Sequence, residues 1–256
     1  MTDLAVLASG FGVLPLAAIL ICILRGTFES HREQAWGLLS GIVGFLALSH
    51  AMAFVLVDKA YLSLVVGAAQ AIVVPSIGLI VGAGLGWILF ESDVFRTEPL
   101  RVLGAAAAFV ALHSVGDGLV LGADFALGAV PSVRIDALAV GATVLHRFAE
   151  GALIVVPALA AVWKPRSTFV LLFVSLAAIP AAYVPGWVFD VYGASPERTV
   201  VDLAVPTFVA AIETMLGLIL LVRGFLPLAT ANRGSRWLAW TAIGFIGISI
   251  VHFLVE

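Results

Sequence analysis

The sequence predicts an all-α integral membrane protein with eight transmembrane helices. Of its 256 residues, 62% are hydrophobic and only 11% are charged, and the mean hydropathy is +1.15. Ordinary soluble domains carry about 25% charged residues. The apolar residues fall into runs of about 20, the length at which a helix crosses the hydrocarbon core of a bilayer. Because only short connections separate the runs, residues 1–256 are predicted to form a single transmembrane domain.

Each apolar run reads as one helix, in chain order. The first run follows Asp3 and lacks a cationic leader and a small-residue cleavage site, so it is predicted to be a retained helix and not a signal peptide. The third run is long enough to require a tilt or an overhang. Prolines and small residues within the runs favour kinks and close helix packing. The eight predicted spans are Leu4–Leu24, Gly37–Val57, Tyr61–Phe90, Val102–Ala123, Ala137–Trp163, Ser167–Phe189, Leu203–Val222 and Trp237–Val255.

The basic residues between the spans alternate in number. Nine lie in one set of connections and three in the other, and cytoplasmic connections are the ones that carry an excess of Lys and Arg. Both termini are therefore predicted to lie outside. The nine are Arg25, Arg32, Arg96, Arg101, Lys164, Arg166, Arg223, Arg233 and Arg236; the three are Lys59, Arg134 and Arg198.

Two polar motifs interrupt the fourth and fifth spans, HSVGDG at 113–118 and HRFAEG at 146–151. Each motif places a histidine and a carboxylate four residues apart, which puts both on one face of a helix. The glycine after each acid lets two helix backbones approach closely. Since neighbouring spans are antiparallel, the motif occurs in two inverted copies, an arrangement typical of transport sites near the bilayer midplane.

The two motifs together offer the ligands of a transition metal. His113 and His146 supply nitrogens, and Asp117 and Glu150 supply oxygens, a set that suits Zn²⁺ and also Fe²⁺, Mn²⁺ or Co²⁺. A charged Asp, Lys or Arg at membrane depth costs roughly 2.5–3.5 kcal/mol and usually marks an ion or proton pathway. The plainer interpretation is a set of hydrogen bonds between packed helices. Cys22 is the single cysteine, which excludes a disulfide framework, and no basic patch suggests nucleic acid as a partner.

The motifs resemble two signatures of the ZIP (Zrt/Irt-like) family of divalent metal transporters. HSVGDGLVLGADF is similar to the fourth-helix pattern H-N-x-x-D/E-G-x-x-x-G, and HRFAEGALIV is similar to the fifth-helix pattern H-E-x-x-E-G. Eight helices with outward termini also match, so the resemblance covers essentially the whole chain. It implies movement of a divalent transition metal toward the cytoplasm, commonly by a homodimer. In the family the matching residues form the transport site, here His113, Asp117, His146 and Glu150.

The chain departs from the family pattern where members with two adjacent metals hold the second ion. Ser114 and Arg147 replace the Asn and the acid beside the two histidines, and Ile179 replaces a Glu before Pro180. We therefore expect a mononuclear site in which Arg147 stands in for the second ion and braces Glu150, since arginine does not lose its charge in proteins. The competing interpretation is that Arg147 abolishes transport by repelling the metal.

Other polar residues of the spans are weaker candidates. Glu213 is either an extra ligand or the ion-pair partner of Arg147, and we favour the partner role because each isolated charge needs compensation. His50 resembles a family histidine near the entrance, so it is either a loading ligand or an interfacial histidine. Ser114 is a further candidate ligand. His31 and His252 are expected to be solvated.

The predicted function is transport of a divalent transition metal, zinc foremost, through a mononuclear midplane site by alternating access. The metal is the transported substrate, membrane lipids surround the chain, and the predicted location is the plasma membrane. One alternative is an intramembrane zinc hydrolase that uses the same ligands to activate water, with Ser114 and Asp117 assisting. The other is a non-transporting relative that binds metal as a sensor.

Overall fold

The computed structural model describes residues 25, 28–91, 97–126, 137–189, 200–231 and 235–255. These residues are almost entirely helical, and no strand occurs among them. The predicted first span, Leu4–Leu24, lies outside the described residues. The described part is a bundle of long helices, in agreement with the all-α class that the sequence predicts.

We number the described helices in chain order. They are α1 (Arg32–Val66), α2 (Ala68–Glu91), α3 (Glu98–Ala126), α4 (Ala137–Ala160), α5 (Pro165–Leu176), α6 (Ala178–Phe189), α7 (Val200–Ile219) and α8 (Arg236–Val255). A 3-10 turn, Glu29–His31, precedes α1, and a π-helical stretch, Ala51–Asp58, lies within it. A π-helical turn, Leu220–Phe225, and a short helix, Leu226–Thr230, continue α7.

Six helical stretches of the described residues are long and apolar enough to cross a membrane. They are Arg32–Val66, Ala68–Glu91, Glu98–Leu119, Pro165–Gly186, Leu203–Thr230 and Arg236–Leu254. Helix α4 has 24 residues, a length sufficient to cross a bilayer, and carries His146, Arg147 and Glu150 near its middle. The described part is thus compatible with a multi-pass membrane protein.

The break between the second and third predicted spans lies elsewhere than the sequence suggested. The predicted connection at 58–60 is wrong, because α1 runs on through Asp58 and Lys59 to Val66. The chain breaks at Gly67, whose φ of +88° costs little only for a residue without a Cβ. Adjacent charges at 58 and 59 look like a loop in the sequence, yet a helix can carry them. The helix after the break, α2, has only 24 residues, so the predicted overhang is absent.

The predicted span Ser167–Phe189 is kinked: α5 ends at Leu176 and α6 begins at Ala178, within the single span-length stretch Pro165–Gly186. Pro180 has no N–H to donate to the carbonyl of Leu176, and its ring crowds that carbonyl. The chain therefore turns at Ala177, whose N–H donates to the carbonyl of Phe173 over 2.8 Å. This proline kink separates α5 from α6.

Helix α6 packs directly against the motif of α3. A Cβ on Gly118 would collide with the carbonyl oxygen of Ile179, and one on Gly186 would collide with that of Leu119. Backbone-to-backbone contact of this kind is how helices associate within lipid, where packing replaces the hydrophobic effect. The glycine that follows Asp117 is thus required for the position of α3 in the bundle.

Candidate metal centre

Four helices contribute ionisable side chains to one cluster in the interior of the bundle. Each contributing residue lies away from the ends of its helix, and six of the seven are buried, with 8% or less of their surface exposed. The side chain of Asp117 is 27% exposed. The seven residues are His50 on α1, His113 and Asp117 on α3, His146, Arg147 and Glu150 on α4, and Glu213 on α7.

Within each motif the histidine and the acid lie on the same helix face, as their spacing predicts. On α4, His146 Nε2 lies 2.9 Å from Glu150 Oε1. On α3, His113 Nε2 lies 3.9 Å from Asp117 Oδ2. The i,i+4 relation holds both pairs together without help from other helices.

The two motifs also meet each other. His113 Nε2 lies 3.2 Å from His146 Nε2 and 3.2 Å from Glu150 Oε1. Together with Asp117, these residues each present one donor atom, and the four atoms lie within 4.8 Å of one another. The structure therefore brings together the four residues that the sequence singled out. We call this group the Nε2 cluster, after the nitrogen of His113 that faces it.

The spacing of the donor atoms fits a transition metal. A tetrahedral ion with ligands at 2.0–2.1 Å has neighbouring ligand atoms about 3.4 Å apart. Four of the six separations in the Nε2 cluster run from 2.9 Å to 3.9 Å, and all six lie within 4.8 Å. Two imidazole nitrogens and two carboxylate oxygens are also ligands that zinc and its neighbours accept. The cluster can therefore hold one divalent ion after small side-chain adjustments.

Arg147 binds both acids of the Nε2 cluster. Its Nη1 donates to Glu150 Oε1 over 2.8 Å and to Glu150 Oε2 over 2.9 Å, and it also donates to Asp117 Oδ2. The contact that the sequence predicted between Arg147 and Glu150 is present. The guanidinium offsets one of the two carboxylate charges, which a buried pair of acids requires.

The guanidinium of Arg147 and a bound metal ion would contact the same carboxylate oxygens. Glu150 Oε1 and Asp117 Oδ2 face His113 and also accept hydrogen bonds from Arg147. A carboxylate has about four lone-pair sites, so it can accept from a guanidinium while it ligates a metal. Arg147 therefore competes with an incoming ion without excluding it by geometry.

Glu213 does not pair with Arg147, and the favoured prediction for it is wrong. Among the described residues, Arg147 forms its ion pairs with Asp117 and Glu150. Glu213 Oε2 instead lies 3.1 Å from His50 Nε2 and 3.7 Å from His113 Nδ1. Glu213 thus lies on the opposite edge of the His113 ring, and the rotation of α7 that puts it there cannot be read from the sequence.

His50 belongs to the interior cluster. It lies on α1 immediately before the π-helical stretch that begins at Ala51, and its ring is 5.0 Å from that of His113 at 73°. Such a buried position does not fit an interfacial histidine. Stretches of π-helix often occur at functional sites, because they turn one side chain away from the regular helical register. Together His50, His113 and Glu213 present a second group of possible metal ligands.

The remaining candidates differ in burial. Ser114 is completely buried, and neither its Oγ nor His146 Nδ1 has a hydrogen-bond partner among the described residues. His252, expected to be solvated, is half-buried, and its ring stacks 5.8 Å from that of His146. His31 is exposed, as expected. The stack with His146 was missed because the sequence placed His252 near a helix end.

Comparison with known proteins adds no family or relative. No family model matches the sequence, and no curated protein matches it.

Proposed function

We propose that this chain is a transmembrane transporter of a divalent transition metal, with zinc the first candidate, and that it is a ZIP-like protein. The observation that carries the proposal is the convergence of His113, Asp117, His146 and Glu150, whose donor atoms lie within 4.8 Å of one another. Ionisable groups held inside a set of span-length helices are expensive, and they usually mark the path of an ion.

The proposed topology has eight spans with both termini outside. The nine-to-three distribution of basic residues supports it. In this orientation α3 and α4 cross in opposite directions, so the two motifs approach the site as inverted copies. Alternating access would then expose the site first outward and then inward. A plasma-membrane location and a homodimer complete the proposal; the resemblance implies the homodimer.

Arg147 has a role in the proposed cycle. An arriving ion takes Glu150 Oε1 and Asp117 Oδ2 from the guanidinium, which contacts both oxygens. When the ion leaves, the guanidinium pairs with both acids again. The carboxylates therefore never face the low-dielectric interior without a cation, and the empty carrier can return at a lower electrostatic cost.

The contacts of Arg147 also favour a second candidate function, a metal-binding relative that does not transport. The guanidinium pairs with both acids of the Nε2 cluster. If Arg147 stayed paired with the two acids while a metal ion was bound, the ion could not leave the site. The protein would then bind metal as a sensor without transporting it.

Zinc influx into proteoliposomes tests the proposal. Wild type would be compared with His146→Ala, which removes one ligand, and with His31→Ala, which changes an exposed histidine. We expect wild type and His31→Ala to transport at equal rates and His146→Ala to lose at least about tenfold, because losing even a supporting contact costs 10–100-fold in metal affinity. Equal rates for all three proteins would contradict the proposal.

Arg147→Glu separates the two candidates. If wild type carries no metal in the panel and Arg147→Glu does, the chain is a transporter scaffold silenced at one residue. If neither carries metal but wild type binds zinc, the non-transporting relative is the better account. Turnover of a lipid substrate without metal flux would favour the hydrolase instead.

A further inference from the structure

We propose that His50, His113 and Glu213 form a second metal subsite, here the Nδ1 cluster, and that one divalent ion is shared between it and the Nε2 cluster. The passage of the ion between the two rests on the proposed transport function, whereas the existence of the second subsite does not. The subsite would bind zinc, cobalt or a similar borderline ion.

The geometry places the two clusters on opposite edges of one imidazole ring. Nε2 of His113 faces Glu150 Oε1 at 3.2 Å, while its Nδ1 faces Glu213 Oε2 at 3.7 Å. His50 Nε2 closes the second group, 3.1 Å from the same oxygen of Glu213. The donor atoms of the Nδ1 cluster lie within 4.8 Å of one another.

The ligand types of the Nδ1 cluster suit a metal with an open coordination position. Two imidazole nitrogens and one carboxylate oxygen are the three protein ligands of many zinc sites, in which a water or a substrate takes the fourth position. All three side chains are buried, so no bulk water screens them. An open fourth coordination position would let the ion bind a new ligand before it leaves this site.

Glu213 lacks the counter-charge that the other acids have. Asp117 and Glu150 share the guanidinium of Arg147. Among the described residues, the ion-pair contacts of Glu213 go to His50 and His113 alone, and these are cations only when protonated. A buried carboxylate stays ionised only beside a compensating cation, and otherwise it takes up a proton. A divalent ion held by the two imidazoles and this carboxylate would supply it.

The charges of the whole cluster favour one ion over two. Three carboxylates stand against one guanidinium, which leaves two negative charges when the imidazoles are neutral. One divalent ion cancels this charge. A second ion would leave two positive charges in a low-dielectric interior, where such an excess is expensive. The two clusters are therefore alternative positions of one ion that keeps His113 as a ligand on either side.

Cobalt binding to the purified full chain tests the inference. Equilibrium dialysis gives the stoichiometry and affinity, and visible absorption reports the ligand set. The variants are an Nε2 pair, His146→Ala with Glu150→Gln, and an Nδ1 pair, His50→Ala with Glu213→Gln. The controls are His31→Ala and Glu91→Gln, matched changes at an exposed histidine and at a surface carboxylate.

Wild type is expected to bind about one Co²⁺ per chain. The Nε2 pair should still bind Co²⁺, with an altered absorption spectrum. Adding Glu213→Gln to it should weaken binding at least about tenfold further, because losing even an outer-shell partner of a metal ligand costs about 10–100-fold in affinity. The elution profile in size-exclusion chromatography and the helical circular dichroism signal identify any variant that fails to fold. If a multiple variant misfolds, the single variant Glu213→Gln is compared with wild type instead, because glutamine has the same shape as glutamate.

Three results would overturn the inference. One is loss of all Co²⁺ binding in the folded Nε2 pair, and another is an unchanged affinity and spectrum in the Nδ1 pair or in Glu213→Gln. The third is two ions per wild-type chain, which would refute the shared ion. Failure of transport is separable, because wild type that binds Co²⁺ in the expected pattern but carries no metal refutes the proposed function and leaves the second subsite standing.

Discussion

The two edges of the His113 ring have different neighbours but the same net charge. On the Nε2 edge, Asp117 and Glu150 are offset by Arg147. On the Nδ1 edge, Glu213 stands with His50, and no guanidinium contacts it among the described residues. Two acids with one guanidinium, and one acid alone, both leave one negative charge. An ion that crosses from one edge to the other therefore meets a similar electrostatic environment.

The comparison gives Arg147 a different meaning from the one that the sequence suggests. Beside a metal-binding motif, an arginine looks like a substitution that ends function. In the structure Arg147 offsets one of the two negative charges on the Nε2 edge, so that this edge carries the same net charge as the Nδ1 edge. Without Arg147, the Nε2 edge would hold an ion much more tightly than the Nδ1 edge, and release would slow.

The largest expected effect comes from Arg147→Ala, which breaks the balance directly. Removing one partner of a buried ion pair costs about 3–5 kcal/mol because it leaves uncompensated charge. We expect a large fall in the apparent Tm of the metal-free protein in detergent, and a larger rise on adding Zn²⁺ than wild type shows. Arg223→Ala is the control, since Arg223 forms an exposed pair with Glu91. Equal falls in Tm for the two variants would contradict the account.

The next effect is that of His113→Ala, which removes the ligand shared by both edges. Its Co²⁺ affinity should fall by at least about 100-fold, since losing an outer-shell partner of a ligand alone costs about 10–100-fold. His50→Ala or His146→Ala should each cost less, because one edge remains. Equilibrium dialysis of the three variants gives the ranking. A loss in His50→Ala as large as that in His113→Ala would argue against two edges that share one histidine.

Gly118→Ala should disturb the Nε2 edge indirectly, by pushing α3 away from α6. A Cβ there meets the carbonyl oxygen of Ile179 on α6, and overpacking of this kind typically costs 1–3 kcal/mol. Gly84→Ala has open space around the new Cβ, and Ala is favoured over Gly within a helix by about 0.5–1 kcal/mol. Thermal unfolding should therefore show opposite signs for the two variants. Two shifts of the same sign would mean that α3 and α6 are not closely packed.

The smallest effect should come from Glu91→Gln, at the surface ion pair with Arg223. Both side chains are more than a third exposed, and pairs of this kind contribute about 0–1 kcal/mol. Zinc influx and the apparent Tm should both stay close to wild type. A loss of influx would show that charges far from His113 govern the rate, and the comparison of its two edges would lose its force.

The Nε2 cluster could be predicted from the sequence because its histidine–acid pairs are set by residue spacing within a single helix. The spacing of His146 and Glu150 fixes a shared helix face, and the same holds for His113 and Asp117. Inverted copies in neighbouring spans then suggest that the two faces meet. The helical class follows equally from the lengths of the apolar runs.

The Nδ1 cluster depends on three helices far apart in the chain. Apart from His113, its residues lie outside the two motifs, as polar side chains within apolar runs. Which of them meet depends on the rotation of α1 and α7 about their axes, and the π-helical stretch after His50 changes that rotation locally. The same limit explains why Glu213 was assigned to Arg147.

Initial rates of Zn²⁺ influx for Glu150→Gln beside Glu91→Gln would show whether the transported ion binds at the Nε2 cluster. Both variants replace a carboxylate by an amide of the same shape, but one carboxylate lies 3.2 Å from His113 Nε2 and the other lies at the surface. We expect wild-type influx for Glu91→Gln and a loss of at least about tenfold for Glu150→Gln. Wild-type influx in Glu150→Gln would rule out transport through the Nε2 cluster.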